Sequence, residues 1–80
     1  MSTLIVDARG LRCPMPLLKA RKAISSLKDG AQLEVWATDP GAEADFKAYC
    51  EQAGHDLLRM EPGRDEEGAT WLKIVLVCRR

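Results

Sequence analysis

Eighty residues, 46% of them hydrophobic, predict one small globular domain over residues 1–80, with no second domain expected. A domain of this size buries roughly 60 to 65% of its unfolded surface and has little room for an enclosed substrate pocket, so its chemistry belongs on an exposed site that another protein completes. Twelve basic and twelve acidic side chains leave a net charge of zero, which removes any global electrostatic reason to bind nucleic acid.

The N-terminus, Met1-Ser2-Thr3-Leu4-Ile5-Val6-Asp7, lacks the basic and long apolar regions of a signal peptide, and no apolar run approaches membrane-spanning length. The expectation is a soluble cytoplasmic monomer. Three cysteines, none in a C-x-x-C pair, do not form a secreted disulfide framework and would be free thiols in a reducing compartment. One histidine and three scattered cysteines also lack zinc-ligand spacing, so neither a metal nor a cofactor is expected.

In chain order, Thr3 to Asp7 is short and rich in β-branched residues and predicts a strand, with Gly10 marking the turn that follows. Leu11-Arg12-Cys13-Pro14-Met15-Pro16 comes next, a cysteine beside a cation with two alternating prolines. Proline suits the first helical position, so Pro14 proposes Cys13 as N-cap. Neither proline has an N–H, which leaves the Met15 amide as the natural donor to a Cys13 sulfur anion. The helix dipole and Arg12 would favour that anion and lower the thiol pKa. Met15 itself precedes a proline and is an awkward first-turn residue, so a later helix start, with Arg12 as the main activator, stays open. Either start leaves the thiol near the surface.

Leu17, Ala20, Ile24 and Leu27 fall at helical spacing and predict a first helix ending at Asp29-Gly30. Residues 1–28 carry Arg9, Arg12, Lys19, Arg21, Lys22 and Lys28 against Asp7 alone. Such a basic face would steer an acidic or phosphate-bearing partner, with Lys19 and Lys22 as contacts, or is simply solvated.

Ala31 to Thr38 alternates as a half-buried strand, with Leu33, Val35 and Ala37 inward. Asp39-Pro40 repeats the cap-then-proline signal for a second helix with Ala42, Phe46, Tyr49 and Ala53 inside, ending at Gly54. His55 would cap that helix's carbonyls, or lie near the thiol as a base or partner contact. Leu57 to Glu61 predicts a third strand, Pro62 to Gly68 a turn, and Thr70 to Cys78 a fourth strand with Leu72, Ile74, Leu76 and Cys78 in its inner phase. Cys50 and Cys78 read as core thiols, with a resolving role toward Cys13 left open for Cys78 because it ends its strand. The resulting β-α-β-α-β-β order predicts an α+β fold, a two-layer α/β sandwich whose four-stranded mixed sheet carries both helices on one face. Its other face would show Glu34, Trp36, Trp71 and Lys73, the two tryptophans there either anchoring a partner or simply covering the sheet with their rings.

Asp7-x-x-Gly10-Leu11-Arg12-Cys13-Pro14-Met15-Pro16, followed by Asp39-Pro40, Asp45 and Gly54-His55, resembles the TusA/SirA-like sulfur carriers with their Cys-Pro-x-Pro motif. The resemblance implies that Cys13 accepts sulfane sulfur as a persulfide from a cysteine desulfurase or other sulfur donor and passes it to an acceptor protein cysteine. Arg12, Gly10, Pro14 and Pro16 would support that residue. Family members serve tRNA thiolation, molybdenum cofactor assembly or sulfur oxidation. Other function classes compatible with the chain are a thiol redox or haem-sensing protein and a non-catalytic regulatory or nucleic-acid-binding module.

Overall fold

The computed structural model describes residues 3–79. Its elements are β1 (Thr3–Ala8), α1 (Met15–Ile24), β2 (Gln32–Ala37), α2 (Ala42–Ala53), β3 (Asp56–Arg64) and β4 (Thr70–Val77), the predicted order. The four strands form one sheet in the order β1-β2-β4-β3. β1 runs parallel to β2, and β4 is antiparallel to both β2 and β3. The last strand therefore returns into the gap between β2 and β3.

Strand alternation puts Leu33, Val35 and Ala37 of β2, with Ile74 and Leu76 of β4, on one face, and all five are buried. Against them pack Ala20 and Ile24 from α1 and Ala42, Phe46 and Cys50 from α2 in a single core, so both helices cover the same face. Cys78 joins this core, and among the described residues no polar or charged side chain is buried with it.

Helix boundaries differ from the periodic pattern for local reasons. α1 stops at Ile24 rather than at Asp29, because Ser25 and Ser26 turn their hydroxyls back onto the Lys22 and Ala23 carbonyls at 2.6 and 2.9 Å. Leu27 still packs against the core from the following turn. α2 starts after Gly41, not after Asp39, since the Asp39 carboxylate accepts the Gly41 N–H at 2.8 Å and forms a turn ahead of the helix. Its buried stripe is Ala42, Phe46 and Cys50, with Tyr49 half-buried and Ala53 exposed. Gly54 ends the helix at φ +79°, as expected of a left-handed C-cap.

β3 also runs further than its apolar pattern, through Pro62 and Gly63 to Arg64. An edge strand tolerates a proline, and the connecting turn shrinks to residues 65–69, held by the Asp65 carboxylate accepting the Glu67 and Ala69 amides, each at 2.9 Å.

The helix-free face is covered by its own side chains. Trp36 and Trp71 have ring centroids 5.1 Å apart, and the Arg9 guanidinium lies 4.9 and 4.6 Å from them. Glu34 accepts the Trp36 indole N–H at 2.6 Å. Under this cover Val75 is fully buried although it lies in the outer phase of β4. The tryptophans are half-buried rather than displayed.

Candidate functional site

β1 and β2 are parallel neighbours, so the links that leave them, to α1 and to α2, emerge side by side at one end of the sheet. After Ala8 the chain reverses through Arg9 and Gly10, with the Leu11 N–H bonding back to the Ala8 carbonyl at 3.2 Å. Gly10 sits at φ +82°, a conformation the third position of such a turn needs and side chains resist. Its N–H donates to Thr38 Oγ1 at 2.8 Å, which ties the loop to the end of β2. Leu11 is half-buried against the core, and Arg12, Cys13 and Pro14 are exposed.

The Cys13–Pro14 peptide is cis. α1 has Pro14 as N-cap, without a side-chain cap, and Met15 as its first residue. The Met15 N–H bonds the Arg12 carbonyl at 2.8 Å. Two expectations are thereby corrected: Cys13 is not the N-cap, and the Met15 amide is spent on closing the turn instead of serving the sulfur. Pro16, in the first turn of α1, is buried and anchors that turn to the domain.

The sulfur's partner comes from the other helix. Cys13 Sγ donates to Asp45 Oδ2 at 2.5 Å. Asp45 is in the first turn of α2, where the amide end of the helix favours an acidic side chain. A Cβ at Gly41 would stand 3.7 Å from both Cβ and Sγ of Cys13 and 3.0 Å from Asp39 Oδ2, so the start of α2 lies directly against the cysteine. The Asp45 hydrogen bond, with smaller contributions from desolvation and the charges of Asp45 and Asp39, pushes the Cys13 thiol pKa up from its ordinary value. This overturns the expected low-pKa thiolate. A carboxylate in contact outweighs an adjacent cation in solvent.

The other candidates are dispersed. Lys19 Nζ donates to the Asp7 carbonyl at 3.0 Å, at the end of β1. Lys22 is exposed and lines a shallow groove with Ile5, Val6 and Ala23. His55 lies past the far end of α2, whose last residue Ala53 is about 12 Å along the helix axis from Asp45 at 1.5 Å per residue. Its Nδ1 accepts the Arg79 N–H at 3.0 Å, and Nε2 lies 3.4 Å from the Tyr49 hydroxyl. The ring neither caps α2 nor joins Cys13. Cys50 and Cys78 are buried, as expected, and burial pushes the Cys50 thiol pKa up. Sequence reasoning missed the Cys13–Asp45 contact; Asp45 stood out only as part of the family pattern.

The site thus presents, among the described residues, one exposed thiol whose S–H is held by the Asp45 carboxylate, which favours its protonated form. Such a group can carry a small cargo between protein surfaces in an α+β domain of few residues. The solved structure of a SirA-like protein from Desulfitobacterium hafniense has this fold, with a TM-score of 0.72 at 22% identity, covering 96% of this chain and 99% of that one. The family model described as "Sulfurtransferase TusA" matches residues 4–76. The Sulfur carrier protein TusA of Allochromatium vinosum is 43% identical over 63 residues, covering 79% of this chain and 78% of its own. That of Pseudomonas entomophila is 40% identical over 67 residues, covering 84% and 79%. The chain belongs to the TusA family of sulfur carriers.

Proposed function

We propose that Cys13 accepts sulfane sulfur from a cysteine desulfurase or another sulfur donor, holds it as a persulfide, and hands it to a cysteine of an acceptor protein. The observation that carries this reading is the exposed Cys13 thiol on Asp45, in a chain whose other two thiols are buried. In loading, Sγ attacks the outer sulfur of the donor persulfide as its hydrogen passes to a carboxylate, and the donor thiol leaves. In unloading, the acceptor thiolate attacks the outer sulfur and Cys13 leaves. Nothing is oxidised or reduced from outside, so no cofactor is required.

We assign the approach of the partner to the exposed ends of α1 and α2, with Arg12 beside the sulfur and Lys22 on the flank of α1. The protein acts as a monomer in the cytoplasm, and its acceptors belong to tRNA thiolation, molybdenum cofactor assembly or sulfur oxidation. Mass spectrometry after incubation with a cysteine desulfurase and cysteine tests the reading. Wild type gains one sulfur and Cys13→Ala gains none; equal loading of the variant would overturn the assignment.

A further inference from the structure

Resting on that reading, we propose that Asp45 is a catalytic residue for release: its carboxylate holds the hydrogen of the sulfur at Cys13 and keeps the loaded group as neutral S–S–H, the form a nucleophile can attack.

The geometry supplies three parts of this. Asp45 Oδ2 already accepts the Cys13 S–H, so the residue touches the reacting atom. An outer sulfur would lie one S–S bond, about 2.05 Å, beyond Sγ. On the Gly41 side the Asp39 carboxylate and the start of α2 come close to it, since a Cβ at Gly41 would stand 3.7 Å from Sγ and 3.0 Å from Asp39 Oδ2. The outer sulfur would then lie beside carboxylates on the side of α2 and of the β2–α2 link. The charged groups that act on the Cys13 sulfur are Asp45 on α2 and Asp39 on that link, while Arg12 is its exposed neighbour in sequence.

Two anionic groups beside a sulfur have opposite effects on the two halves of the cycle. For the empty thiol they suppress the thiolate, and the gain in nucleophilicity of a more basic thiolate recovers only about half of that loss. For the loaded group they suppress S–S⁻. Hydrodisulfides are more acidic than thiols, so without such neighbours the loaded group would be largely anionic at neutral pH and would repel an attacking thiolate. The acidic site therefore sacrifices reactivity of the empty carrier for reactivity of the loaded one. In release the nucleophile bonds to the outer sulfur and the S–S bond breaks. The electron pair goes to Sγ, and the hydrogen from the outer sulfur is relayed by Asp45 to Sγ, restoring the starting thiol.

The test compares wild type, Asp45→Asn and Asp45→Glu. Each is loaded chemically by treating the aryl mixed disulfide of Cys13 with sulfide, so the outcome does not depend on any donor protein. Release is read as thiocyanate formed with cyanide, which takes the outer sulfur, and the empty thiol is read by its rate of alkylation with iodoacetamide. In Asp45→Asn, release at pH 8 falls several-fold while alkylation rises about threefold, because the lower basicity of the sulfur offsets about half of the tenfold gain that a tenfold larger thiolate fraction would give. The pH at which release declines also moves down, and Asp45→Glu restores both rates in part. Unchanged release, or release and alkylation moving in the same direction, would overturn the role of Asp45. A failure of Cys13 to load from a desulfurase would count against the carrier reading alone.

Discussion

The Gly10 N–H donates to the Thr38 hydroxyl at 2.8 Å across 28 residues, joining the loop that carries Cys13 to the strand end that leads to Asp45. The two links that meet at the sulfur are thus held together one turn before they reach it. Thr38→Val keeps the shape and removes the acceptor. It should cost up to about 1 kcal/mol, the usual worth of a hydrogen bond, since this one is exposed, whereas Thr38→Ser should cost less. Urea denaturation gives the stability, and faster amide exchange at Gly10 in the valine variant alone would locate the loss.

Trp71 lies flat across Gly63, its register partner on the edge strand. A Cβ at Gly63 would stand 2.5 Å from the indole nitrogen and 2.6 Å from the adjacent ring carbon. The ring would have to lift, taking Trp36 and Arg9 out of register and uncovering Val75. Gly63→Ala should therefore destabilise by about 1 to 3 kcal/mol, as overpacking does in a fitted core. A red-shifted tryptophan emission would accompany the loss, and unchanged emission would speak against the ring as the cause.

Element types were readable because each carries its own period. Leu33, Val35 and Ala37 alternate, and Phe46 and Cys50 sit a turn apart, so the layers follow from local pattern. The place of β4 between β2 and β3 has no such signature, since a hairpin's return is decided by which edge its apolar face can cover. Cys13 was readable from the prolines beside it. Its environment was not, because Asp45 is 32 residues away and, beside Phe46, reads as the solvated flank of a helix. Local reasoning weighed Arg12 and a helix N-terminus, the charges adjacent in sequence; the tertiary contact with a carboxylate reverses the sign. A serine pair likewise ended α1 where the apolar spacing ran on.

Burial divides the three thiols into one exposed and two enclosed. In native protein a small disulfide reagent should react with Cys13 alone, and all three cysteines should react after unfolding. The Cys13 rate should keep rising with pH beyond the ordinary thiol value of 9.0, since the Asp45 hydrogen bond favours the protonated form. A plateau near neutral pH would contradict that bond. Rapid native reaction of Cys50 or Cys78 would contradict the packing of both in the core between sheet and helices.

Arg9 serves two neighbours at once. It donates to both Asp7 oxygens at 2.9 and 2.8 Å while its guanidinium lies against Trp36 and Trp71. The side-chain hydrogen bond from Arg9, aided by its backbone N–H, lowers the Asp7 pKa from 3.8 to about 2. A depressed carboxyl pKa stabilises the fold above the unfolded value, and that share is lost as pH falls from 3.8 toward about 2. The pair is half-exposed and salt screens it, so the share is small. Contact with the rings needs only the cation and persists in acid. Arg9→Ala should therefore destabilise at neutral pH, mostly through the lost ring contacts. The difference from wild type should narrow below pH 3.8 but not vanish, and the Asp7 carboxyl should titrate near 3.8 in the variant when followed by NMR. If the difference disappeared entirely in acid, the ion pair and not the aromatic contact would be what Arg9 contributes.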